Sequence, residues 1–69
     1  MVTKEEALTG QRFEHMTAQN ADKTPLRARA NGACKVWKTR PDEFKLAVRI
    51  GWKGHGYITN ENAHEWRKA

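Results

Sequence analysis

The chain has 69 residues, of which 38% are hydrophobic and 30% charged, with a formal net charge of +5. That length supports one domain with a marginal core: a chain this small buries only about 60% of its unfolded surface, which leaves little apolar material for the walls of a deep substrate pocket. Three Trp, two Phe and one Tyr argue against a disordered chain, the single Cys34 excludes an internal disulfide, and the absence of an apolar leader or of any run near 18 apolar residues makes a reducing cytoplasm the expected location.

In chain order, Thr3 with Glu6 three residues on reads as a capping box, so Thr3 to Leu8 is expected to form a short helical turn ended by Gly10. A helix this short is marginal unless it docks. Residues 1–11 are therefore read as a tail or helical turn, and residues 12–69 as the globular domain. From Phe13 to Gln19 the residues alternate, with Phe13, His15 and Thr17 on one side, and a strand is expected. Asn20 to Pro25 has the composition of a turn. Leu26 to Ala30 is extended, with Arg27 and Arg29 opposed to Leu26, Ala28 and Ala30. Asn31-Gly32 follows, the strongest short hairpin signal because both residue types tolerate positive φ. A two-residue loop there would face Leu26 with Trp37.

Arg40-Pro41-Asp42-Glu43 interrupts the pattern. Phe44 to Trp52 is the clearest element: Phe44, Leu46, Val48, Ile50 and Trp52 fall on one face, and Lys45, Ala47, Arg49, Gly51 and Lys53 on the other. Strict alternation of this length predicts a strand with one buried face and one wet, basic face. Gly54-His55-Gly56 reads as a loop tip and Tyr57-Ile58-Thr59 as a returning strand. Asn60 to about Lys68 is expected to be a helix capped by Thr59 or Asn60, with Ala63 and Trp66 on its buried side. The expected architecture is α+β: a small twisted antiparallel sheet of four to five strands, able to curl towards a barrel and closed by the C-terminal helix.

The stretches Lys38-Thr39-Arg40-Pro41, Phe44, Tyr57-Ile58-Thr59 and Asn62-Ala63-His64-Glu65-Trp66 carry a resemblance to short uncharacterised proteins of bacterial genomes and mobile elements such as phages. The resemblance covers residues 13–66. It implies a bacterial or phage origin and an independent protein rather than a fragment of an enzyme, and it carries no assigned function.

Catalytic and metal chemistry find little support. His15, His55 and His64 have no ligand spacing between them, and no Cys-x-x-Cys or carboxylate-rich loop is present. Cys34 beside Lys35 has no identifiable base partner and reads as packing. Gly51 to Gly56 lacks the Gly-Lys-Ser/Thr ending of a phosphate loop. The chain is therefore expected to be no enzyme and to hold no cofactor or metal.

Charge is the informative feature. Residues 1–26 carry a net of −1, residues 27–53 a net of +6, and residues 54–69 none. The candidate partner-binding set is Arg27, Arg29, Lys35, Lys38, Arg40, Lys45, Arg49 and Lys53, and Trp37 or Tyr57 is available to stack on a base. Lys45, Arg49 and Lys53 fall on the wet face of one strand at about 13 Å intervals. The function expected is a non-catalytic interaction module that meets an acidic protein surface through this basic face. The alternative is a module that contacts the phosphate backbone of nucleic acid through the same residues. The bland reading of the charge is solubility.

Overall fold

Side chains that alternate in polarity must point to opposite sides of a strand, and this rule organises the centre of the molecule. The structure, a computed structural model, describes residues 1–51 and 54–69. A helix α1 (Lys4–Thr9) precedes four strands: β1 (Arg12–Gln19), β2 (Pro25–Trp37), β3 (Arg40–Ile50) and β4 (Gly54–Thr59). A 3-10 turn (Ala63–Glu65) then leads into a short strand β5 (Trp66–Lys68). The strands form one antiparallel sheet in the order β4-β3-β2-β1-β5.

In β3, Phe44, Leu46, Val48 and Ile50 are buried while Lys45 and Arg49 are exposed, as the alternation predicts. Trp52 and Lys53, expected to extend this row, lie outside the described residues. The inner face is completed by Phe13, Leu26, Ala28, Ile58, Ala63 and Trp66, and by Val2 and Ala7 from the N-terminal segment. Burying apolar surface at about 25 cal/mol per Å² is what holds so small a sheet together. The capping box is present: Thr3 Oγ1 accepts from Glu6 N–H, and Thr3 N–H donates to the Glu6 carboxylate at 2.9 Å. Gly10 ends the helix for lack of space rather than for an unusual φ. A Cβ there would lie 2.6 Å from the Glu6 carbonyl oxygen and 2.9 Å from Phe13 Cζ.

Three expectations are corrected. Asn31-Gly32 is no hairpin turn, because β2 runs straight through it to Trp37. Ala30 faces Val48 and Cys34 faces Leu46, so four steps along β2 match two along β3, and the dipeptide forms a bulge with Gly32 at φ 142°. The extra residues keep Ala30 and Cys34 on the side of their inward-facing partners. The chain reverses instead at Lys38-Thr39, and β3 starts at Arg40, with Pro41 to Glu43 taken up in a second irregularity where a missing N–H costs nothing. Gly54-His55-Gly56 is likewise no loop tip but the first half of β4.

The C-terminal helix is absent. Asn62 holds the segment as a turn: its Oδ1 accepts from Thr59 N–H at 2.8 Å, and its Nδ2 donates to the Tyr57 carbonyl at 3.0 Å. Such side-chain bonds compete with helix, and a helix of nine residues is marginal in any case. The segment then pairs with the otherwise open edge of β1, placing Trp66 opposite His15 and Arg67 opposite Glu14. Ala63 and Trp66 are buried as expected, but on a turn and a strand. The described residues thus form a small antiparallel sheet with one α-helix of six residues. The sheet curls so that Tyr57 of β4 and His15 and Trp66 from the far edge border one crevice, yet among the described residues no pairing joins β4 to β5 and it stays open. Among the described residues, no helix is long and apolar enough to cross a membrane.

Candidate anion-binding face

The outer face of the sheet carries the charge, and strand register decides which charges meet. Directly opposed residues in antiparallel strands share a face, with Cα atoms about 4.5–5.5 Å apart. Arg12 of β1 stands opposite Arg29 of β2, Arg29 opposite Arg49 of β3, and Arg49 opposite His55 of β4. Three arginines and a histidine therefore form one row across four strands. A second row lies one pleat repeat away, about 6.8 Å along the strands. In it Arg67 of β5 faces Glu14 of β1, which faces Arg27 of β2. All five arginines are exposed and border one broad depression, whose other walls include Ala28 and Gly51.

Among the described residues, one carboxylate side chain lines this depression. Arg67 Nε donates to Glu14 Oε1 at 2.6 Å. Among the described residues, Arg12, Arg27, Arg29 and Arg49 have no carboxylate partner within 4.0 Å. Five arginines and Lys68 against one glutamate give the side chains lining the depression a net charge of +5. Like charges placed directly opposite are unfavourable by a few tenths to about 1 kcal/mol per pair, so the Arg12–Arg29–Arg49 row costs the fold something.

Of the predicted set, Arg27, Arg29 and Arg49 come together here. Lys45 shares the outer face four residues along β3, but its ammonium lies over the Tyr57 ring, 4.3 Å from the centroid. Lys35 stands opposite Lys45 and leans over Trp37 at 5.4 Å. Lys38 sits in the β2–β3 turn, and Arg40 pairs with Glu43 at 3.0 Å at the far end of that hairpin. Lys53 lies outside the described residues. Arg12 and Arg67 were missed because the segments holding them are nearly neutral overall. The available signal was phase: each directly adjoins a buried aromatic, Phe13 or Trp66, and so must face outward.

The groups considered for chemistry have other surroundings. His15 Nδ1 accepts from the backbone N–H groups of Ala18 at 2.8 Å and Thr17 at 3.2 Å, where the β1–β2 register shifts, and its Nε2 donates to Glu65 Oε1 at 3.3 Å. Its ring also packs edge-on against Trp66. Cys34 is half-buried against the core, and burial pushes its thiol above the ordinary range, partly offset by a hydrogen bond with the Lys45 backbone. That direction disfavours the thiolate. His64 is exposed, with Nε2 3.9 Å from Glu65. Among the described residues, no three His, Cys, Asp or Glu side chains are grouped to hold a metal ion.

Compared with family models, curated proteins and solved structures, the chain matches none of them, so the reading of this face rests on its own geometry.

Proposed function

We propose that this chain is a small non-catalytic interaction module that holds a nucleic-acid backbone against the outer face of its sheet. The observation that carries this reading is the Arg12–Arg29–Arg49 row: three arginines on three neighbouring strands, each opposite the next, with no carboxylate within salt-bridge distance among the described residues. An arrangement that costs stability in the free protein is relieved when a polyanion covers it, and arginine forks suit phosphate oxygens particularly well. Gly51, exposed at the same depression and without a side chain, lets an extended backbone approach the sheet there. An acidic protein surface is the competing partner chemistry and would use the same arginines.

Titration with mixed-sequence oligonucleotides at several salt concentrations tests the reading. Log affinity should fall linearly with log salt, with a slope of about 0.7–0.9 per phosphate contact and hence roughly 2–4 for this face. Absence of binding at low salt, or preference for polyglutamate over the oligonucleotide at equal charge, would reject it.

A further inference from the structure

A second, smaller depression lies on the same face at the end of the arginine row, and it has the makings of a base seat. It is bordered by Asn31, Ala47, Val48, His55, Gly56 and Tyr57, with a volume of about 280 Å³. That is at or below the low end for pockets holding drug-sized ligands, and suits a single flat ring system. We infer that this depression receives one unpaired base of a single-stranded nucleic acid whose backbone lies on the arginine rows. The inference rests on the phosphate-backbone reading and specifies its ligand.

The walls have the spacing that a stacked ring requires. His55 and Tyr57 are two residues apart on β4 and on the same side, so their Cα atoms are separated by about 6.8 Å, twice the roughly 3.4 Å rise between stacked bases. Gly56 between them projects nothing into the gap. A Cβ there would lie 2.8 Å from Ile50 Cδ1, on the inner side. The floor is Ala47, directly opposite Tyr57, and the bulge in β2 brings Gly32 rather than a larger residue over it. A Cβ on Gly32 would already be 3.5 Å from that of Ala47.

The walls are also oriented. Asn31 Nδ2 donates to His55 Nδ1 at 3.2 Å, which sets the ring and leaves Asn31 Oδ1 as an acceptor at the rim. Tyr57 is 53% exposed, unusual for the one tyrosine of a chain short of core. The Lys45 ammonium sits over its ring, and Lys45 is paired with Thr59, which lies two residues beyond Tyr57 on the side away from His55, so the lysine approaches from the side opposite the depression. Because His55 is the residue opposite Arg49, the seat continues the arginine row without a gap. A base held in a duplex is stacked and paired on both sides and cannot enter; an unpaired base on a splayed strand can.

The test compares a thymidine oligonucleotide of about a dozen nucleotides with an abasic strand of the same length and charge. The parent protein should bind the base-bearing strand about tenfold more tightly. Tyr57→Ala should abolish that preference and Tyr57→Phe should keep it. All three proteins should show the same salt slope, because no phosphate contact is lost. Equal binding of the two strands by the parent, or preference retained in Tyr57→Ala, overturns the base seat while binding of the abasic strand leaves the phosphate reading standing. Failure to bind either strand overturns both.

Discussion

Arg29 and Arg49 stand directly opposite one another on β2 and β3, both outward and neither within salt-bridge distance of a described carboxylate. The fold would be better off without one of them. Threonine suits a central strand and carries no charge, so Arg49→Thr should raise stability by a few tenths to about 1 kcal/mol. The same variant should weaken oligonucleotide binding. Denaturant midpoints and a binding isotherm on one preparation check both. A variant that loses stability while binding unchanged would mean the arginine belongs to the fold rather than to a site.

His15 links the β1 irregularity to the C-terminal strand. Its Nδ1 serves two backbone N–H groups, and its ring meets Trp66 with centroids 4.9 Å apart. His15→Ala leaves those donors without their acceptor and should cost about 1–3 kcal/mol. Binding per folded molecule should be unaffected, since His15 faces inward. A thermal melt superimposable on the parent's would show that water replaces the imidazole without penalty.

Trp66 is buried at the edge of the sheet without a helix to carry it. Trp66→Ala should cost roughly 3–5 kcal/mol, a large share of what a domain this small has available. The expected result is a protein largely unfolded at 37 °C by circular dichroism. A cooperative melt at the parent's temperature would show that β5 is not docked on β1.

Acid should loosen the N-terminal helix. The Thr3 backbone N–H holds the Glu6 carboxyl below its ordinary value, with the Thr3 hydroxyl assisting. A carboxyl whose value is lower in the folded state contributes stability above its unfolded value, here near 4.5, and that contribution disappears as pH falls through the folded value. Asp22, held down chiefly by the Thr24 hydroxyl, acts in the same direction in the β1–β2 turn. Glu6→Gln keeps an acceptor for Thr3 N–H but carries no charge. It should be somewhat less stable than the parent near neutrality and converge with it in acid, and so lose less stability between about pH 5 and pH 2. Identical acid profiles would remove Glu6 from the account.

The period-two pattern from Phe44 to Ile50 and the Thr3–Glu6 capping box were legible because each is a local rule acting on consecutive residues. Asn31-Gly32 misled because its tolerance of positive φ serves a bulge as well as a turn, and only the length of the partner strand β3 selects between them. Asn60 to Lys68 misled for a similar reason. Its helical spacing of Ala63 and Trp66 was outweighed by the Asn62 side-chain bonds and by the open edge of β1. Three of the five arginines of the face, Arg27, Arg29 and Arg49, were visible as part of a charge-rich middle segment. Arg12 and Arg67 enter it through register across strands, a long-range property that no window of sequence contains.

The most direct test of the central claim is the salt dependence of oligonucleotide binding by the parent and by an Arg12→Thr, Arg29→Thr, Arg49→Thr triple variant. Because the row repels itself, the triple variant should be folded and at least as stable as the parent. If the row holds phosphates, the slope of log affinity against log salt should become shallower by about two units, the sum of three contacts at roughly 0.7–0.9 each. A folded triple variant with the parent's affinity and slope would contradict the account, and would leave the arginines as a means of keeping the protein in solution.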